Sequence, residues 1–286
     1  MISFLEDNAE SKAPRAESIP VQSRLMTALH RFTGTLATDV RNPLKAKYGE
    51  AYNYLISGDT CRYREEVDTA IAHYKQALTH RPDYLDAQLG LAKCYRRKGA
   101  ILEAIQSLET ALVMNAFHEE THLQLAKTYA EAGYTQKAIR HYQRVVKLNP
   151  RQVEARFGQA LLLENLQNLT GSIQLYEEIL EIEPDFLPAY NNMGSLYLRM
   201  NQLKEAECLF TQLVAKAPDF ARGYLGLAMT LDKAGYSNQA VKAYERVLQL
   251  SGNSKNAAFV SQRMIELHRE LGHTRTRGCV TLVRVK

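Results

Sequence analysis

Residues 221–254 read ARGYLGLAMTLDKAGYSNQAVKAYERVLQLSGNS, and the spacing inside and beyond this stretch decides the fold. Ala240, Val241, Tyr244, Val247 and Leu248 recur at the 3.6-residue period of a helix, and Gly235 ahead of them marks a turn. Toward the N-terminus, Ala240 is echoed every 34 residues by Ala206, Ser172, Ala138, Ala104 and Ala70. Frames of 34 residues starting at Ala51, Leu85, Glu119, Val153, Leu187 and Ala221 bring further columns into line. Position 8 of the frame holds Gly58, Ala92, Ala126, Ala160, Gly194 and Ala228. Position 24 holds Tyr74, Leu108, Tyr142, Tyr176, Phe210 and Tyr244, and position 27 holds Ala77, Ala111, Val145, Ile179, Leu213 and Val247. Position 32 holds Pro82, Ala116, Pro150, Pro184, Pro218 and Gly252.

Each column has a physical reason. Small residues at positions 8 and 20 let the two helices of a hairpin approach closely. A large apolar side chain at position 24 fills the space between hairpins. Proline at position 32 ends one helix and opens the next stretch. Gly99, Gly133 and Gly235 fall at position 15, where each hairpin turns. Two frames depart from this scheme. In the first, Gly58, Asp59 and Thr60 predict an interrupted first helix, followed by an ill-defined turn over Arg62–Glu66. In the fourth, Gln167 replaces the turn glycine and predicts an irregular turn.

The columns resemble those of the tetratricopeptide repeat family, a 34-residue helix–turn–helix unit with small, aromatic and proline positions at these places. The family's frequent tryptophan at position 4 is missing, because the chain has no Trp and uses Tyr54, Gln88, His122, Arg156, Tyr190 and Tyr224 there. The resemblance implies an all-α fold, a right-handed superhelical solenoid of stacked antiparallel helix pairs. The expected organisation is a flexible segment over 1–19, a helical extension over 20–50 and six repeats over 51–254. A capping helix over 255–272 and a basic, disordered tail over 273–286 complete it.

The ends follow from local pattern. Pro20 can open a helix whose stripe is Leu25, Leu29, Phe32 and Leu36, placed either on the first hairpin or back in the groove. Ala257, Ala258, Val260, Met264, Ile265, Leu267 and Leu271 make an amphipathic helix that covers the last repeat, with Gly272 closing it. A strand-like run, Cys279 to Val283, follows.

Composition narrows the function. Hydrophobic residues make up 45% and charged residues 23%, with a net charge of +5. Lys and Arg are interspersed with Asp and Glu, so no continuous basic stripe marks a nucleic-acid surface, and nucleic-acid binding stands only as an alternative. Cys61, Cys94, Cys208 and Cys279 show no close pairing and read as reduced thiols of a cytoplasmic protein. The start, with Glu6, Asp7 and Glu10, is unlike a signal peptide, and no run is long enough to insert in a membrane, though a membrane-complex partner is compatible.

One string matches the His-Glu-x-x-His pattern of zinc hydrolases: His118-Glu119-Glu120-Thr121-His122. His118 falls at frame position 34, at the join between hairpins, and the glutamates occupy a first helical turn, where the helix dipole favours them. No third ligand is marked. The expectation is therefore a non-enzyme with no metal and no cofactor.

The resemblance implies that positions 2, 5, 9, 12 and 13 of the first helices line a concave groove. Carried onto this chain, they give Lys93, Arg96, Arg97 and Lys127, then Asn191, Ser195, Arg199, Arg222 and Lys233, with Glu120, Glu154 and Glu164 between. The second group resembles part of a carboxylate clamp without reproducing it. The function implied is a scaffold, assembly factor or chaperone-like adaptor that holds a protein partner through an acidic peptide segment or a helix. Leu55, Leu89, Leu123, Phe157 and Leu225 at position 5 are either groove floor or core, depending on helix rotation.

Overall fold

The structure, a computed structural model, describes residues 43–251 and 257–282. Residues 1–19, expected to be flexible, the helix expected to begin at Pro20 and residues 283–286 lie outside the described residues. Among the described residues all regular structure is helical, in thirteen helices without a strand. None of them is long and apolar enough to cross a membrane.

The helices are α1 (Pro43–Tyr63), α2 (Val67–His80), α3 (Leu85–Lys98), α4 (Ile101–Met114), α5 (Glu119–Glu131), α6 (Thr135–Leu148) and α7 (Val153–Asn165). They continue with α8 (Leu169–Ile182), α9 (Leu187–Arg199), α10 (Leu203–Lys216), α11 (Ala221–Lys233), α12 (Ser237–Ser251) and α13 (Ala257–Leu282). The chain divides within α7 into two compact units, residues 43–162 and 163–282 of the described chain. In the first unit α1 packs on α2, α2 on α3, α3 on α4, α4 on α5 and α5 on α6. Its first helices also touch across repeats, α1 with α3 and α3 with α5. In the second unit the same order runs from α8 through α13, and α9 touches α11.

The repeat columns form the core. Every residue at position 20, from Ala70 to Ala240, is 0% exposed. The large side chains of position 24 are buried beside them. Glycine at position 6 in the second, fourth and sixth frames shows how the hairpins stack. The Tyr74 ring lies so close over Gly90, Tyr142 over Gly158 and Phe210 over Gly226 that an added Cβ would sit less than 3 Å from the ring. Ring and glycine are sixteen residues apart in each case, joining the second helix of one repeat to the first helix of the next. The position 5 leucines, Leu55, Leu89, Leu123 and Leu225, are buried, so they belong to the packing and not to an open groove floor.

Position 15 is left-handed in all six repeats: Glu65 (φ 69), Gly99 (φ 79), Gly133 (φ 77), Gln167 (φ 59), Asn201 (φ 62) and Gly235 (φ 83). In each, its N–H bonds the carbonyl three residues back and the next N–H bonds the carbonyl five residues back, as in Gln167 to Glu164 and Asn168 to Leu163. This is the Schellman arrangement that satisfies the last carbonyls of a helix. The turn at Gln167 is therefore as regular as the glycine turns, contrary to expectation. The Asn168 side chain completes it by accepting the Gly171 N–H at 3.1 Å. The Arg62–Glu66 turn has the same two bonds.

Two further expectations are corrected. Gly58, Asp59 and Thr60 do not interrupt α1, because Gly58 receives the Tyr74 ring and Thr60 Oγ1 bonds the Ile56 carbonyl at 2.8 Å within a continuous helix. The irregular backbone in α1 lies at Gly49 (φ 56, ψ −132). At the other end, α13 runs through Gly272 to Leu282, where the sequence suggested a stop at Gly272 and a disordered tail with a strand-like run. A single glycine inside a helix costs only about 1 kcal/mol and does not by itself end it. Val260 and Leu267 of α13 are fully buried.

Candidate functional site

In the first unit, α1, α3 and α5 together form a groove of about 680 Å³ lined by Arg62, Tyr63, Lys93, Arg96, Arg97, Gln124 and Glu131. These residues come from positions 6, 9, 12 and 13 of three consecutive first helices, which stack equivalent side chains next to one another. The sequence-derived residues Lys93, Arg96 and Arg97 are thus brought together. Lys127 is not among the lining residues and sits instead in an ion pair with Glu154 at 2.5 Å.

The cations of the groove are tied to the neighbouring repeats. Lys93 Nζ meets Glu120 Oε1 at 2.8 Å, and Arg97 Nη2 meets Glu65 Oε1 at 2.6 Å. Arg96 donates to Gln124 Oε1 at 2.7 Å and its Nε lies 3.5 Å from Glu131. Burial works against the Glu120 carboxylate, but the Lys93 ammonium and the Gln124 amide outweigh it and hold its pKa below the ordinary value. Below them, Tyr74 Oη donates to Asp59 Oδ1 at 2.7 Å and accepts from Arg62 Nε at 3.1 Å. Burial, then the Asp59 charge, raise the Tyr74 pKa. Tyr63 is 68% exposed at the mouth of the groove.

Arg62, Tyr63, Gln124 and Glu131 escaped the sequence reading. A signal was present, because Arg62 and Tyr63 occupy the same frame positions as Arg96 and Arg97. The supposed irregularity of the first frame hid it.

The second unit is organised differently. Ser195 Oγ donates to the Asn191 carbonyl on its own helix at 2.8 Å, and Asn191 Nδ2 donates to Asn192 Oδ1 at 3.2 Å. Asn192 in turn donates to Tyr176 Oη at 3.1 Å, which itself donates to Glu164 Oε1 at 2.6 Å. Arg199 reaches the turn residue Gln167 at 3.3 Å, and Lys233 reaches the Leu198 carbonyl at 3.4 Å. Arg222 is half-buried, and that burial lowers its pKa. Four of the five residues, Asn191, Ser195, Arg199 and Lys233, thus bond within their own helix or to a neighbouring turn or helix end. The polar centre at the far end is Asp232, which accepts from Tyr244 Oη at 3.3 Å and holds Arg263 of α13 by two bonds of 2.8 and 2.9 Å.

The histidine string has structural work. His118 Nδ1 accepts the Thr121 N–H at 3.3 Å and caps α5. His122 Nε2 lies 3.1 Å from the Ala116 carbonyl and Nδ1 lies 2.9 Å from His141 Nδ1. A carbonyl only accepts, so neutral His122 carries its proton on Nε2, and His141 Nδ1–H donates to it. Burial and then the neighbouring imidazole push the His141 pKa down to about 4. Among the described residues no three His, Cys, Asp or Glu side chains converge as metal ligands.

Comparisons with known proteins agree with this architecture. Tetratricopeptide repeat models match residues 64–116, 123–185, 165–230 and 221–254. An uncharacterised protein, ycf37 of Cyanophora paradoxa, is 32% identical over 75 residues, which span 26% of this chain and only 42% of that relative. The crystal structure of MamA superposes with a TM-score of 0.54 at 28% identity, covering 58% of this chain and 96% of MamA. A tetratricopeptide repeat protein from Parabacteroides merdae gives a TM-score of 0.63 at 24% identity, covering 78% of this chain and 88% of that one, a likeness of fold. Stacked helix pairs of this type serve as non-catalytic scaffolds for protein–protein interaction. The chain belongs to the tetratricopeptide repeat family.

Proposed function

We propose that the groove of the first unit holds an extended peptide segment of a protein partner, and that the segment carries carboxylates. The observation that carries this reading is the convergence of Arg62, Lys93, Arg96 and Arg97 on one groove of about 680 Å³. The carboxylates now paired with Lys93, Arg96 and Arg97 (Glu120, Glu131 and Glu65) are themselves at least 39% exposed, and Asp59, paired with Arg62, is 32% exposed. Exposed ion pairs contribute only about 0–1 kcal/mol each, so a ligand carboxylate can replace one at little cost. Tyr63 offers an exposed ring for an apolar or cationic side chain of the same segment. The free thiols Cys61, Cys94 and Cys208 fit a reducing compartment such as the cytoplasm.

The test is selection of a random peptide library on the intact chain, followed by titration of the selected peptides against a Lys93→Glu/Arg96→Glu/Arg97→Glu variant. Enriched Asp and Glu, with affinity reduced about tenfold or more in the variant, is the expected result. Peptides without acidic residues, or acidic peptides bound equally by both proteins, would refute the reading.

A further inference from the structure

Charge on two of the second helices is segregated. Helix α6, TQKAIRHYQRVVKL, contains Lys137, Arg140, Arg144 and Lys147 and no acid. Their spacing of three, four and three residues places them on one face, over about 15 Å. Lys137, Arg140 and Lys147 are exposed, and among the described residues none of the four is in an ion pair. Lys137 lies over the Tyr129 and Tyr134 rings, and Arg144 over the Phe117 ring at 5.1 Å. Glu109 accepts from Tyr129 Oη at 2.7 Å. The sequence reading missed this stripe because the neighbouring helices contribute acids that dilute it in the linear chain.

Helix α8, LTGSIQLYEEILEI, has the opposite composition: Glu177, Glu178 and Glu181 and no Lys or Arg. Glu183 follows at its C-cap. Glu177, Glu181 and Glu183 are exposed. They crowd the C-terminal half of the helix, where the dipole disfavours anions and a cation would be stabilising.

We propose that the basic face of α6 in one copy of the chain docks on the acidic face of α8 in a second copy. The occupant is chosen by charge complementarity: each helix carries what the other lacks, four cations and no acid on α6 against three acids and no cation on α8. A nucleic-acid strand could also meet the α6 cations, but it would leave the α8 carboxylates without a role. The two surfaces differ, so the contact is heterologous and builds a ring where the rotation closes and an open chain where it does not. Each pair is exposed and weak, so association requires several pairs and falls as salt shortens the screening length. This surface is separate from the groove, and the inference stands whether or not the groove binds a peptide.

Sedimentation velocity of the intact chain tests it. In low salt the mean mass rises about twofold or more with protein concentration, and in high salt the chain returns to monomer. Arg140→Glu/Arg144→Glu/Lys147→Glu and Glu177→Lys/Glu181→Lys/Glu183→Lys variants each stay monomeric alone. Mixed in equal amounts they associate, because each now presents the charge the other needs. The salt titration of the unmodified chain decides the matter if a variant does not fold. A monomer at every concentration, oligomers that persist in either variant, or a mixture that stays monomeric would overturn the proposal. So would a monomeric chain that binds a single-stranded oligonucleotide through Arg140, Arg144 and Lys147.

Discussion

The groove-side polar layers of the two units are built from different chemistry on the same scaffold. In residues 43–162 it consists of cation–carboxylate pairs that bridge successive repeats, from Arg97–Glu65 through Lys93–Glu120 to Lys127–Glu154. In residues 163–282 it runs through amides and a buried phenol to one carboxylate, Asn191–Asn192–Tyr176–Glu164, with a cation–carboxylate pair at Asp232–Arg263. The core beneath is the same in both: Tyr74 on Gly90 in one, Phe210 on Gly226 in the other. The lesson is that packing and polar chemistry follow different frame positions. Positions 20 and 24 hold the hairpins together in both units, while positions 9, 12 and 13 carry different polar groups in each.

The largest expected effects should be common to both units. Gly90→Ala and Gly226→Ala push a Cβ into a buried ring and should each cost about 1–3 kcal/mol in chemical denaturation. A marked difference between the two glycines would break the claim of a shared core. The next effect belongs to the second unit. Asp232→Ala strips Tyr244 of its acceptor and leaves Arg263 only Glu266 and Glu270, and should cost about 2 kcal/mol, whereas Glu120→Ala in the first unit should change stability by about 1 kcal/mol or less.

A smaller effect compares the turns. Gln167→Gly relieves a left-handed side chain and should stabilise by about 1 kcal/mol, and Gly133→Ala should destabilise by a similar amount. Equal stability of both variants and the parent would show that the turn carries no strain. The smallest is confined to the first unit and comes from His141, whose folded pKa is about 4. The unfolded chain binds that proton near pH 6.5, so the contribution is complete above pH 6.5 and is lost as pH falls toward 4. Thermal melting should therefore show a modest fall in midpoint across that window, and the fall should shrink in His141→Phe.

The architecture was legible in the sequence because its columns repeat six times, and the repetition outweighs any single odd residue. What misled was local: Gly58 reads as a helix breaker until the Tyr74 ring is seen above it, and Gln167 reads as a wrong turn residue until its two Schellman bonds are seen. The ring-on-glycine contact was present in the sequence as a sixteen-residue offset, but it links neighbouring frames and does not show in a column read down one frame. For the groove, Lys93, Arg96 and Arg97 could be placed from frame position. Their carboxylate partners could not, because each lies in another repeat and only stacking brings it within 4 Å.

Hydrogen exchange on the chain bound to a selected acidic peptide tests the central claim most directly. Slowed exchange across α1, α3 and α5, strongest near Arg62–Tyr63, Lys93–Arg97 and Gln124–Glu131, is the predicted result. Protection confined to the second helices α2, α4 and α6, or to the second unit, would contradict it.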